Sequence, residues 1–145
     1  MYERRVSGAS GVNAAEAYKA NQVKTATPLG LVIMLYDGAV SFLAKAEGAA
    51  RSGDWEGASG LIRKAQDIVY ELMACLDMEK GGQVAANLFR IYEYMGYRLV
   101  QAQLRRDPAP AAEVREHLES LKEAWEEAER KLRAASCKEG RLAAL

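Results

Sequence analysis

The stretch AYKANQVKTATPLGLVIMLYDGAVSF, residues 17–42, decides the fold, because it holds a helix start followed by apolar residues on two helical faces. Thr27 precedes Pro28 in this stretch. A threonine hydroxyl accepts a hydrogen bond from an otherwise unpaired backbone N–H, and proline at the first helical position has no N–H to leave unpaired. A helix is therefore predicted to begin near Pro28.

This first helix carries two apolar stripes, as a rotation of about 100° per residue shows. One stripe consists of Leu31, Leu35, Ala39, Phe42 and Ala46. The second, on another side, consists of Ile33, Tyr36 and Val40. One stripe is enough to pack a helix into a small bundle. The second stripe is therefore either buried, because this helix is central and covered on several sides, or part of a binding groove. The pattern leaves both interpretations open.

Three more helices are predicted from similar periodicities. The second begins after the N-cap Asp54 and runs to about Met78, the third follows Gly81-Gly82, and the fourth runs from the Asp107–Pro110 connection to about Ala135. The predicted core stripe of the second helix is Leu61, Ile62, Ala65, Ile68, Val69, Leu72, Met73 and Leu76. The predicted core stripe of the third helix is Val84, Leu88, Ile91, Tyr92, Met95, Leu99 and Ala102. That of the fourth helix is Val114, Leu118, Leu121, Trp125, Ala128 and Leu132.

The predicted fold class is all-α, an antiparallel up-down four-helix bundle with an N-terminal arm. The chain has 145 residues, a usual length for a single domain. We expect a flexible arm over residues 1–24, the bundle over residues 25–135 and a C-terminal tail over residues 136–145. The arm has mixed propensity and is expected to lie on the bundle.

Composition narrows the classes of partner and compartment. Lys and Arg number 20 and Asp and Glu number 20, which argues against nucleic acid, because that partner favours a cationic surface. The apolar runs look shorter than the roughly 20 residues that span a membrane, so no membrane insertion is expected. Two cysteines, far apart in the chain, fit a reducing cytoplasm.

Residues for catalysis or metal binding are scarce. A di-metal site in a four-helix bundle usually needs two Glu-x-x-His motifs, and His117 is the single histidine. Cys75 is expected to be a small buried residue with no base beside it, and no serine lies in a nucleophile motif. The sequence thus predicts no enzyme activity, no catalytic residue, no cofactor and no metal, and it assigns His117 no function.

Several motifs together resemble the FliS family of flagellin export chaperones over about residues 13–130. They are YKANQVKTATP at 18–28, MLYDGA at 34–39, KAQDI at 64–68, Gly81-Gly82, Asn87-Leu88, IYEYM at 91–95 and Arg98-Leu99. The order and spacing of these motifs are those of the family.

The resemblance implies a cytoplasmic chaperone whose client is the disordered C-terminal region of flagellin. Such a chaperone prevents premature polymerisation and passes the client to the gate component of the flagellar type III export apparatus; other flagellar regulators are possible further partners. The predicted client-binding residues are Ile33, Tyr36, Val40, Tyr92 and Tyr94, and Tyr18 and Val23 belong to the arm, which acts as a lid.

Two rival hypotheses remain. A structural bundle could associate with itself through the same apolar stripe, so a monomer or weak homodimer is expected. An enzyme or metal protein is the other rival. Met34 and Leu35 of the first helix could equally belong to the core.

Overall fold

The computed structural model describes residues 27–144, with side chains as far as residue 138. The described residues fall into two units: the short stretch 27–31, which holds the start of the first helix, and residues 32–144. The packing of the helices lies within the second unit.

The described residues form four helices and no strand. They are α1 (Pro28–Arg51), α2 (Trp55–Ala74), α3 (Gly82–Arg105) and α4 (Ala109–Ala144). The chain direction reverses at each connection, and α3 packs closely against both α2 and α4. The predicted all-α up-down four-helix bundle is confirmed.

Two of the predicted helix starts are confirmed by their caps. The Thr27 hydroxyl accepts a hydrogen bond from the Gly30 N–H at 3.0 Å, and the Asp54 carboxylate accepts one from the Gly57 N–H at 2.9 Å. Each cap satisfies a backbone donor that has no partner inside the helix. The local sequence therefore sets where α1 and α2 begin.

α4 is longer than predicted, because it ends at Ala144 rather than near Ala135. Its last turns are rich in Ala, Glu, Lys and Arg, which are strong helix formers, and they contain no proline. The side chains of residues 131–138 are all exposed, and Leu132, predicted to be in the core, is 60% exposed. The helix continues here past the ends of its neighbours in the bundle.

The core is built from one stripe of each helix. The stripe predicted for α2 is confirmed, with Ile62, Ala65, Val69 and Leu72 buried. The stripe predicted for α3 is partly wrong, since Val84 is 65% and Ile91 38% exposed. The fully or nearly fully buried residues of α1 are Tyr36, Ala39, Leu43 and Ala46.

Tyr36 therefore belongs to the core, so burial is the interpretation of the second stripe that holds at this residue. Its hydroxyl shares a 2.5 Å hydrogen bond with the hydroxyl of Tyr92 on α3, and the two rings meet edge to face. Burial raises the pKa of both phenols. Two buried hydroxyls that satisfy each other remove the penalty that either would carry alone.

Ion pairs on the bundle surface fix α1 against α4. Lys122 contacts Asp37 at 2.5 Å, and Arg115 contacts Glu47 at 2.5 Å. Residue numbers rise along α4 as they fall along α1, so the two helices run antiparallel. Such exposed or half-exposed pairs add little stability and serve mainly to set the register.

By length and composition, α1 could cross a membrane, and it is the one described helix of which this is true. The expectation that no such apolar run exists is therefore wrong. The finding is weak evidence for a membrane span, because a core helix passes the same test and α1 supplies Tyr36, Ala39, Leu43 and Ala46 to the core.

Replacing Tyr36 with Phe should lower the free energy of unfolding by about 1–3 kcal/mol, because the Tyr92 hydroxyl is then buried without its partner. The double variant Tyr36→Phe/Tyr92→Phe should lose less than the sum of the single changes, since neither hydroxyl is left unpaired. Urea unfolding followed by circular dichroism measures both. Additive losses would show that the hydrogen bond does not couple these residues.

Candidate binding surface

Two concave apolar regions lie on the bundle, and they share no lining residue. The first, here called the end cavity, has a volume of about 250 Å³ and lies where the α2–α3 connection meets Trp125 of α4. Its apolar walls are Val32, Leu72, Leu76, Val84, Ala85, Leu88, Tyr92 and Trp125. All four helices thus contribute to this cavity.

The connection between α2 and α3 shapes the rim of the end cavity. The Asp77 carboxylate accepts hydrogen bonds from the N–H groups of Glu79 and Lys80, and the Asp77 carbonyl accepts one from Gly81. A Cβ on Gly81 would lie 2.8 Å from that carbonyl oxygen and closer still to Ala85, and Gly82 has a φ of 51°. The Gly81-Gly82 pair is required by this tight turn.

Two aromatic residues form the inner wall of the end cavity. Tyr92 is only 1% exposed and is held by its hydrogen bond to Tyr36. Burial raises the pKa of the Tyr36 hydroxyl, and the nearby Trp125 indole opposes part of that rise. The indole lies outside hydrogen-bonding geometry, however, and its buried Nε1 has no partner in the described part of the chain. The wall is therefore almost wholly apolar.

The second region, here called the side groove, runs between α3 and α4 and has a volume of about 480 Å³. Ile91, Met95 and Leu121 supply its apolar floor and walls. Arg90, Tyr94, His117 and Ser120 also line it. This composition suits an apolar side chain that has a few polar neighbours.

A cluster around Glu113 joins two residues that line the side groove, Tyr94 and His117. The Glu113 carboxylate accepts a 2.5 Å hydrogen bond from the Tyr94 hydroxyl and forms a 2.9 Å ion pair with Arg98. His117 Nε2 lies 3.5 Å from the same carboxylate. The hydrogen bond from Tyr94, then the contact with Arg98, lowers the pKa of Glu113. The Glu113 carboxylate therefore already has hydrogen-bond and ion-pair partners within the bundle.

Large apolar side chains on α3 remain exposed beyond these two regions. Leu104 is 80% exposed, and Tyr97 is 60% exposed. Tyr70 on α2 is 53% exposed and packs beside the buried Gly96. Single exposed apolar residues are ordinary, but the concentration on one helix indicates a contact surface.

The predicted binding residues have different positions in the structure. Tyr94 is exposed and lines the side groove, whereas Ile33 and Val40 are half-buried on α1. Tyr36 is buried and presents no open surface. Tyr92 is buried, as its place in the predicted core stripe of α3 requires, and it also forms part of the end-cavity wall. A client contact at either residue stays a prediction. The predicted lid residues Tyr18 and Val23 lie outside the described residues.

Several surface residues were misassigned from the sequence. Val84 and Ile91 follow the core period of α3, but they line the end cavity and the side groove. Cys75, expected to be buried, is exposed and lines the end cavity. His117 lines the side groove, and the prediction that it has no function is not tested by that position. Periodicity shows which way a side chain points but not whether a neighbour covers it.

The described residues contain no group of three or more His, Cys, Asp or Glu side chains that could hold a metal ion. What they do contain is a helical bundle with two apolar concavities and further apolar side chains in contact with water. The fold and this surface define an all-α bundle with apolar surface open to a partner.

Comparison with known proteins gives the family. The model of the family described as "Flagellar protein FliS" matches residues 11–132. The flagellar secretion chaperone FliS of Salmonella typhimurium is 40% identical over 121 residues, covering 82% of this chain and 90% of the relative. That of Bacillus subtilis is 37% identical over 112 residues, covering 77% and 83%. The chain belongs to the FliS family of flagellar secretion chaperones, and the resemblance seen in the sequence is confirmed.

The pKa of Glu113 should return toward its ordinary value in Tyr94→Phe, because the largest cause of its lowering is the hydrogen bond from Tyr94. A carboxyl whose pKa is lowered by folding contributes stability above its unfolded pKa and loses it as the pH falls through the folded pKa. Carboxyl carbon NMR titration measures the pKa, with Tyr97→Phe as the control. An unchanged Glu113 pKa in Tyr94→Phe would contradict this cause.

Proposed function

We propose that this protein is a cytoplasmic export chaperone that binds the disordered C-terminal segment of flagellin. It keeps the client from premature polymerisation and assists its delivery to the flagellar type III export apparatus. The single observation that carries the proposal is the apolar surface left in contact with water around α3 and the end cavity. The names of the relatives support a flagellar secretion client.

The surface suits an unfolded client better than a folded one. The end cavity and the side groove are separate concavities with different lining residues. A disordered segment can place one apolar side chain in each and order its backbone only on binding, whereas a folded domain presents a fixed surface. The client gains its order from the chaperone and remains unable to polymerise while held.

The exposure of each side chain decides which residues we propose as client contacts. Tyr94 and the half-buried Ile33 and Val40 remain proposed client contacts, and Val84 joins them because it is exposed at the end cavity. Tyr92 takes part through the cavity wall. Tyr36 acts beneath the surface by holding Tyr92 in place.

The arm, residues 1–24, is proposed to act as a lid that competes with the client through Tyr18 and Val23. An apolar segment in the same chain has a high effective concentration, so weak contacts are enough to shield an apolar surface until a client with more contacts arrives. A component of the export gate and other flagellar regulators are the proposed later partners.

Val84→Glu should weaken binding of a synthetic peptide from the flagellin C-terminus about tenfold or more, because the complex would bury a charge without a partner. Isothermal titration calorimetry measures the affinity, and the wild type should also show a negative heat-capacity change with a gain of helicity. The matched control is Gln83→Glu, which adds the same charge at the neighbouring exposed position outside the end cavity.

Absence of binding by the wild type would reject the proposed function. Equal binding by Val84→Glu and Gln83→Glu, with both bundles shown to be folded by circular dichroism, would remove the end cavity from the binding surface. Elemental analysis and light scattering of the purified chain address the rival metal protein and self-associating bundle.

Deletion of residues 1–24 should leave client affinity unchanged or increase it, because a competing lid lowers the fraction of binding-competent protein. The same titration on Tyr18→Ala/Val23→Ala in the full chain separates loss of apolar contacts from loss of the whole arm. Weaker binding by either variant would mean that the arm contacts the client directly.

A further inference from the structure

The side groove differs in chemistry from the end cavity. Ile91, Met95 and Leu121 give it an apolar lining, and Arg90 lines it as well. The end cavity, in contrast, has the acidic Asp77 at its rim. The two concavities therefore differ in the sign of the charged residue in their lining.

The positive charge of Arg90 at the side groove has no ion-pair partner among the residues whose side chains are described. Glu113, the groove's nearby carboxylate, is taken by Arg98, Tyr94 and His117. Arg90 itself forms no ion pair with any described residue. A guanidinium beside an apolar groove, without its own carboxylate, favours an incoming anion.

We propose that the side groove binds an acidic amphipathic segment of the client tail. An apolar side chain of that segment enters between Ile91 and Leu121, and an Asp or Glu carboxylate near it pairs with Arg90. This inference rests on the proposed function and adds the chemistry of the client segment that the groove selects.

The size and position of the groove favour a segment of a client tail over a second copy of the chain. A specific protein dimer buries about 800 Å² on each partner, more than one groove between two helices supplies. A tail already held in the end cavity reaches the side groove as an intramolecular contact, for which a small contact area is enough. The charge on Arg90 then decides which part of the tail enters.

The test titrates the full chain with a synthetic peptide from the flagellin C-terminus of the same genome. Arg90→Gln should weaken binding about fivefold and Arg90→Glu more than tenfold, whereas Arg90→Lys should bind almost as the wild type. Arg105→Gln is the control, because Arg105 is exposed on the same helix and lines neither concavity. Raising the salt concentration should weaken the wild type more than Arg90→Gln.

A second variant tests the apolar part of the groove without changing its charge. Ser120→Trp fills the groove from an exposed position of α4 and should weaken binding, and Ser136→Trp, exposed on α4 beyond the groove, should not. Circular dichroism confirms that each variant is folded.

The outcomes separate this inference from the proposed function. Normal binding by Arg90→Glu and Ser120→Trp, beside a wild type that binds the tail, would overturn the role of the side groove and leave the function standing. Equal losses in Arg90→Gln and Arg90→Lys would overturn the charge pairing. A wild type that does not bind the tail would overturn both.

Discussion

The hydrogen bond between Tyr36 and Tyr92 sets the rotation of two helices about their own axes. It lies in the core and joins α1 to α3, which are not neighbours in the chain. Once both hydroxyls face each other, Ile33 and Val40 remain only half-buried, and Ile91 and Tyr94 turn toward the edge that α3 shares with α4. An apolar pair of similar volume would fill the core but would not fix these rotations, because dispersion has no direction.

The rotation of α3 explains why the bundle is stable and still has apolar surface. Its buried face, with Leu88, Tyr92, Met95 and Leu99, is complete without the exposed residues. Val84 lies at the first turn, where the end cavity opens, and Ile91 faces the side groove, whose α4 edge includes the small, polar Ser120. These side chains add little to folding because they are not covered, and that leaves them available for a partner.

The fold could be predicted from the sequence because its signals are local. Thr27 before Pro28 and Asp54 before α2 are caps that act within one turn, and the α2 stripe has the helical period over its whole length. The surface could not be predicted as well, because exposure depends on neighbours. Val84 and Leu132 both follow a core period, but one lies at an open cavity and the other beyond the ends of the adjacent helices. Tyr36 shows the opposite case, a polar side chain that is buried. Its hydroxyl is satisfied by the Tyr92 hydroxyl, which comes from a distant part of the chain.

The separation of the two concavities constrains any client of this bundle. The end cavity has Trp125 and Tyr92 in its wall, whereas the side groove is lined by Ile91 and Leu121. A segment that enters both must continue from one set of lining residues to the other, which a disordered tail can do because it orders its backbone only on binding. Under the proposed function, the apolar side chains that enter the two concavities are covered by the bundle and are not available to other client molecules. Binding and the prevention of polymerisation then have one physical cause.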